Sequence, residues 1–128
     1  MKRSKPVIAI GPERDRATWT WVGLGLYREL SRFYQVKVFQ DVRRFPSADV
    51  VVNIKERLSP PLKKHPPIVY LPCDFYLSRD HISRDPYLPY VTAVVAHSQR
   101  LARCLQDFHE RVFYLDHDCR YLLPKMQP

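Results

Sequence analysis

Apolar runs at residues 7–10, 36–39, 50–54 and 68–71 come at near-regular intervals along the chain, and a fifth follows at 91–96 after a proline-rich gap. Short β-branched runs without polar alternation are what strands look like when helices cover both faces of a parallel sheet. A sixth, shorter run at 111–115 extends the series. The pattern predicts an α/β fold: a single Rossmann-like three-layer domain over residues 1–128, with a mostly parallel sheet of about six strands. Length and a hydrophobic content of 45% suffice for one core and leave no room for a separate catalytic domain. In such sheets ligands sit beyond the carboxyl ends of the strands, so the segments after each run matter most. The fold does not name the ligand.

The connections carry their own signals. Gly11 and Pro12 stop the first strand, because proline has no donor for the ladder. Thr18 or Thr20 is then placed to cap a helix whose buried face would be Val22, Leu26, Leu30 and Phe33. Gly23 and Gly25 each cost roughly 1 kcal/mol in a helix relative to alanine, which points to close packing on a strand. Between the second and third strands the chain is too short for a full helix. Residues 55–65 are expected to hold a brief helix broken by Pro60 and Pro61, and Pro66 and Pro67 set up the fourth strand. Residues 72–89 read as a long loop with a binding or lid role. Ser98 is a natural cap for a helix burying Leu101, Leu105 and Phe108.

A net charge of +8 calls for a partner. The basic residues fall in small groups with no helix-turn-helix, finger or RNA-recognition signature, which argues against sequence-specific nucleic-acid binding. A solvated basic surface, a phosphate-bearing ligand and an anionic membrane surface remain open. No apolar stretch approaches the ~20 residues of a membrane span, and the basic start at residues 1–5 is not a signal peptide. Cys73, Cys104 and Cys119 are odd in number and widely spaced, as expected of reduced thiols in a cytoplasmic protein. Cysteine and histidine spacings give no metal motif.

Candidate site residues follow from the strand ends. Gly11 and the turn to Arg14 and Arg16 would face the cleft, where amides and guanidinium groups match a phosphate; solvated turn arginines are the competing reading. Asp74, after the fourth strand, is placed either to take a proton from an attacking hydroxyl or to cap a turn. Phe75 and Tyr76 offer a platform for an acceptor ring or join the core. His97 ends the fifth strand and can bond an acceptor or a phosphate, or simply neighbouring backbone. Ser98 beside it serves the same ligand or its helix. Cys73 has no histidine partner in sequence that would make it a nucleophile.

The run of strand, Ala96-His97-Ser98, amphipathic helix and strand, then Leu115-Asp116-His117-Asp118-Cys119-Arg120-Tyr121-Leu122-Leu123-Pro124, resembles the end of the N-terminal domain of GT-B type glycosyltransferases. The opening helix with Leu26-Tyr27-Arg28-Glu29-Leu30, followed by Val36-Lys37-Val38-Phe39, is similar to that family's beginning. Leu115 stands where the family has a small residue, and Tyr121 where it has phenylalanine. The resemblance implies an acceptor-side Rossmann-like domain that holds a sugar or glycan acceptor. A second, donor-binding domain, which this chain lacks, would supply the nucleotide-sugar. It also implies a face, left by that second domain, through which copies of the chain could associate. The alternative is a stand-alone Rossmann-like or flavodoxin-like module that binds a phosphate-bearing ligand or a protein partner without catalysis.

Overall fold

The computed structural model describes residues 5–44, 46–59 and 64–115. Six strands form one sheet: β1 (Val7–Gly11), β2 (Gln35–Val38), β3 (Val50–Ile54), β4 (Ile68–Leu71), β5 (Ala93–Ala96) and β6 (Val112–Tyr114). Their order is β2-β1-β3-β4-β5-β6, and every neighbouring pair is parallel. Three helices connect them: α1 (Leu24–Leu30), which continues a π-helical turn at Trp19–Gly23, α2 (Arg79–Arg84) and α3 (Gln99–Leu105). This is the Rossmann-like α/β architecture that the apolar runs predict.

Successive strand residues point to opposite faces, so each run divides its side chains between two cores. Ile8, Ile10, Val52, Ile54 and Leu71 pack with Trp19 and Val22 on the α1 side. Ala9, Val51, Ile68, Tyr70, Val94 and Ala96 pack with Ile82 of α2 and with Ala102 and Leu105 of α3 on the other. Covering helices on both faces explain why the central strands are nearly continuous in apolar residues. The edges differ. In β2, Gln35 and Lys37 face water while Val36 and Val38 are half-buried, and in β6 Phe113 and Tyr114 are exposed.

Several local expectations change. Thr18 has helical backbone angles and makes no side-chain cap bond, and the following turn is π-helical. The buried anchors of this helix are Trp19 and Val22, whereas Leu26 and Leu30 are half-buried and Phe33 lies past the helix end, 63% exposed. Gly23 is there for Trp19: a Cβ on it would lie 2.2 Å from the indole Cε3. The expected loop at 72–89 contains α2 and a 3-10 turn at Leu88–Tyr90, and it buries Ile82, Tyr87 and Leu88. Ser78 accepts from the His81 amide at 3.1 Å and starts α2, a cap that a polar, proline-punctuated stretch conceals. Residues 116–124, which carry the closing part of the family resemblance, and Cys119 lie outside the described residues. Among the described residues no helix is long and apolar enough to cross a membrane.

Candidate functional site

From β1 the sheet grows in one direction to β2 and then in the other to β3, so the connections leave in opposite directions at the carboxyl ends of β1 and β3. A crevice opens at such a switch point. Here it is a cleft of ≈ 290 Å³, with Pro12 after β1, Ile54 and Lys55 at the end of β3, and Trp19, Arg14, Arg16 and Phe75 around it. A neighbouring cleft of ≈ 390 Å³ lies between the loop after β3 and Tyr87, and Phe75 borders both.

Gly11 closes β1 where no side chain fits, since a Cβ would stand 2.5 Å from the Phe39 carbonyl oxygen. Its demand is therefore packing. Arg14 is not a free anion receptor. Its Nε and Nη2 donate to the two carboxylate oxygens of Glu56 (2.8 and 3.1 Å), and its Nη1 donates to the carbonyls of Gln40 (2.7 Å) and Glu13 (3.0 Å). This fork clamps the loop after β1 to the ends of β2 and β3. Arg16 is exposed and has no ion-pair partner among the described residues.

Lys55 is the residue that basic-cluster counting hides. It follows β3 with φ 55°, in the left-handed region, and Cys73 follows β4 with the same angle. Neither is glycine, so each conformation costs roughly 1–3 kcal/mol and persists only where neighbours enforce it. For Lys55 the enforcement is explicit: its amide donates to the Leu71 carbonyl at 2.7 Å, and Tyr70 Oη donates to its carbonyl at 2.6 Å. The result aims Lys55 Nζ at Asp74 Oδ1, 2.7 Å away. That hydrogen bond holds the Asp74 carboxyl below the usual carboxylate range, and His97 stands at the end of the neighbouring strand β5. Asp74 and His97 thus share the rim with Gly11.

The other predicted residues separate. Ser98 accepts from the Leu101 amide at 3.1 Å and caps α3. Phe75 borders the cleft, with the Arg57 guanidinium 4.8 Å from its ring centre. Tyr76 turns inward, where its hydroxyl donates to Asp85 Oδ2 at 2.7 Å. Cys73 is buried, which pushes its thiol up to about 12 and leaves it an unreactive neutral group at neutral pH.

Behind the rim lies a buried polar network that sequence patterning does not single out. Asp85, its side chain fully buried, pairs with Arg57 and accepts from the Tyr87 amide at 2.9 Å as well as from Tyr76. Tyr87 Oη donates to Asn53 Oδ1 at 2.7 Å, and Asn53 Nδ2 donates to the Glu56 carbonyl at 2.8 Å. The loop after β3 is thereby fastened to the segment after α2. The one legible signal was Asn53, a polar residue inside an apolar strand. No protein-family model, curated protein or solved structure matches the chain.

Proposed function

We propose that this chain is the acceptor-side domain of a GT-B type sugar transferase, with the donor nucleotide-sugar held by a second domain. One observation supports the reading above the others: Gly11, Asp74 and His97 come from three different strand ends yet stand on the same carboxyl rim of an all-parallel sheet. In the transfer, an acceptor hydroxyl attacks the sugar's anomeric carbon, the bond to the nucleotide phosphate breaks with its electron pair leaving on the nucleoside diphosphate, and the hydroxyl proton passes to that departing phosphate. Asp74 is a carboxylate at neutral pH as an ordinary aspartate is, and the hydrogen bond from Lys55 makes it a weaker base still, suited to accept a hydrogen bond. Its role here is to orient the hydroxyl, with His97 beside it. The setting is cytoplasmic, and the positive charge draws the domain towards an anionic membrane face. Self-association would use the apolar surface around exposed Phe113.

The second reading, a flavodoxin-like module that binds a phosphate-bearing ligand without chemistry, is favoured by the strand order itself, which reverses between β1 and β3 as in that fold. A nuclear magnetic resonance titration separates the two. Neutral mono- and disaccharides are expected to shift the resonances of Asp74 and His97, and His97→Ala to weaken that binding, while UDP-glucose leaves the cleft unmoved. Failure of every sugar to perturb the rim overturns the transferase reading. Occupancy of the cleft by UDP-glucose or flavin mononucleotide replaces it with the second.

A further inference from the structure

The cleft at the switch point has three cations of unequal status. Arg14 is saturated by Glu56 and two carbonyls, so it contributes shape rather than charge to a ligand. Arg16 and Lys55 remain. Arg16 has no ion-pair partner among the described residues, and Lys55 is held by Asp74 alone in an exposed pair, with side chains 40% and 76% accessible. Ion pairs that exposed are weak, so an incoming anion of higher charge can take the ammonium from the carboxylate. Trp19, Ile54 and Phe75 supply the apolar part of the same cleft. At ≈ 290 Å³ it lies at the lower end of the ~300–1,000 Å³ usual for small-molecule sites, room for one ring and one charged group rather than a dinucleotide.

We propose that this cleft is a receptor for a sugar ring bearing a phosphate ester, with the phosphate between Arg16 and Lys55, the ring against Trp19 and Phe75, and the Lys55–Asp74 pair as a latch that the phosphate opens. The backbone explains why the latch is built from a lysine. A left-handed residue at the end of β3, fixed by Leu71 and Tyr70, carries its side chain across the rim to Asp74, and a glycine would satisfy the backbone without that side chain. Calling the ligand an acceptor rests on the sugar-transfer reading; the binding of a sugar phosphate does not.

Calorimetric titration at neutral pH and low salt, with glucose 6-phosphate, glucose and inorganic phosphate as probes, tests the proposal. Glucose 6-phosphate is expected to bind about tenfold more tightly than either fragment, since one good charge-assisted contact is worth about that factor. Arg16→Ala and Lys55→Gly each lose most of this advantage, and Lys55→Gly melts no lower than the parent because glycine accepts the left-handed angle. Asp74→Asn, which removes the latch, tightens glucose 6-phosphate. Equal affinity for glucose and glucose 6-phosphate, or indifference to both cation variants, overturns the receptor. Weaker binding by Asp74→Asn overturns the latch. Selective retention on phosphatidylinositol vesicles over phosphatidylcholine vesicles, lost in Lys55→Gly, assigns the phosphate ester to a lipid; glucose 6-phosphate binding without retention assigns it to a soluble sugar. A domain that binds glucose 6-phosphate through Arg16 and Lys55, but whose rim no neutral sugar perturbs, keeps the receptor and loses the transferase.

Discussion

At the scale of single residues, the carboxyl rim is shaped by what each backbone position tolerates. Gly11 is the strictest case, because the atom that its missing Cβ would strike is the Phe39 carbonyl oxygen, part of a backbone already bonded to Ile10 and Glu13. Gly11→Ala is therefore expected to destabilise the fold by roughly 1–3 kcal/mol, measured by urea denaturation, as overpacking does when the neighbour cannot yield. The two described cysteines should also part company. Cys73 is buried with its thiol pushed up to about 12, whereas Cys104 is half-buried on α3. Iodoacetamide on the native protein is expected to label Cys104 well before Cys73, with peptide mass spectrometry as the readout; equal rates would mean that the end of β4 opens readily. At this scale the sequence is only partly readable. The positions of Asp74 and His97 follow from strand ends, which apolar runs reveal. The saturation of Arg14 by Glu56 and the pairing of Lys55 with Asp74 depend on residues 42 and 19 positions apart by sequence number, and no local pattern encodes those partners.

At the scale of elements, strands and caps are local and helices less so. All six strands coincide with apolar runs, and Ser98 caps α3 where expected, since an N-cap needs only a hydroxyl and the amide three residues on. Ser98→Ala should cost about 1 kcal/mol by chemical denaturation, and Ser78→Ala a similar amount at α2. What escaped the pattern has a physical cause. Helix α2 has six residues with only Ile82 buried, too short for a periodicity to register, and its order comes from the network around Asp85. That network predicts a larger effect. Asp85→Ala strips Arg57, Tyr76 and the Tyr87 amide of their shared partner, leaves a guanidinium beside a buried void, and is expected to cost about 3–5 kcal/mol. Tyr76→Phe, which removes one hydrogen bond, should cost about 1–2 kcal/mol. Equal small losses would mean that solvent replaces the network. Helix α1 follows the same logic in the other direction. With Leu30 half-buried and the contact carried by Trp19 and Val22, Leu30→Ala falls below the ~2–5 kcal/mol of a core truncation, and Leu105→Ala, at 0% exposure, falls within it.

At the scale of the whole molecule, the sheet gathers its buried titratable hydroxyls and its buried thiol on the side of the rim. Tyr70, Tyr76 and Tyr87 are all pushed above the usual phenol value of 10.0, in each case mainly by burial, and Cys73 is pushed up to about 12 from 9.0 for the same reason. Three of these four groups belong to the structure that holds the loop after β3: Tyr70 bonds the Lys55 carbonyl, Tyr76 bonds Asp85, and Tyr87 bonds Asn53. In the folded state they keep their protons beyond the pH at which the unfolded chain releases them. Above the unfolded values the unfolded state therefore binds fewer protons, and stability must fall as pH rises. The contribution is intact well below pH 9.0 and is progressively lost as pH rises through that value and beyond, first through Cys73 and then through the tyrosines. Alkaline unfolding should accordingly be cooperative, with the part of the tyrosinate absorbance that belongs to Tyr70, Tyr76 and Tyr87 appearing together with the loss of helical circular dichroism rather than ahead of it. Tyr76→Phe, which removes one titrating group while keeping the ring, should flatten the alkaline slope even as it lowers stability at neutral pH. Tyrosinate absorbance that rises fully before the ellipticity changes would mean that these hydroxyls reach solvent in the folded state, and that the rim is held by the strands alone.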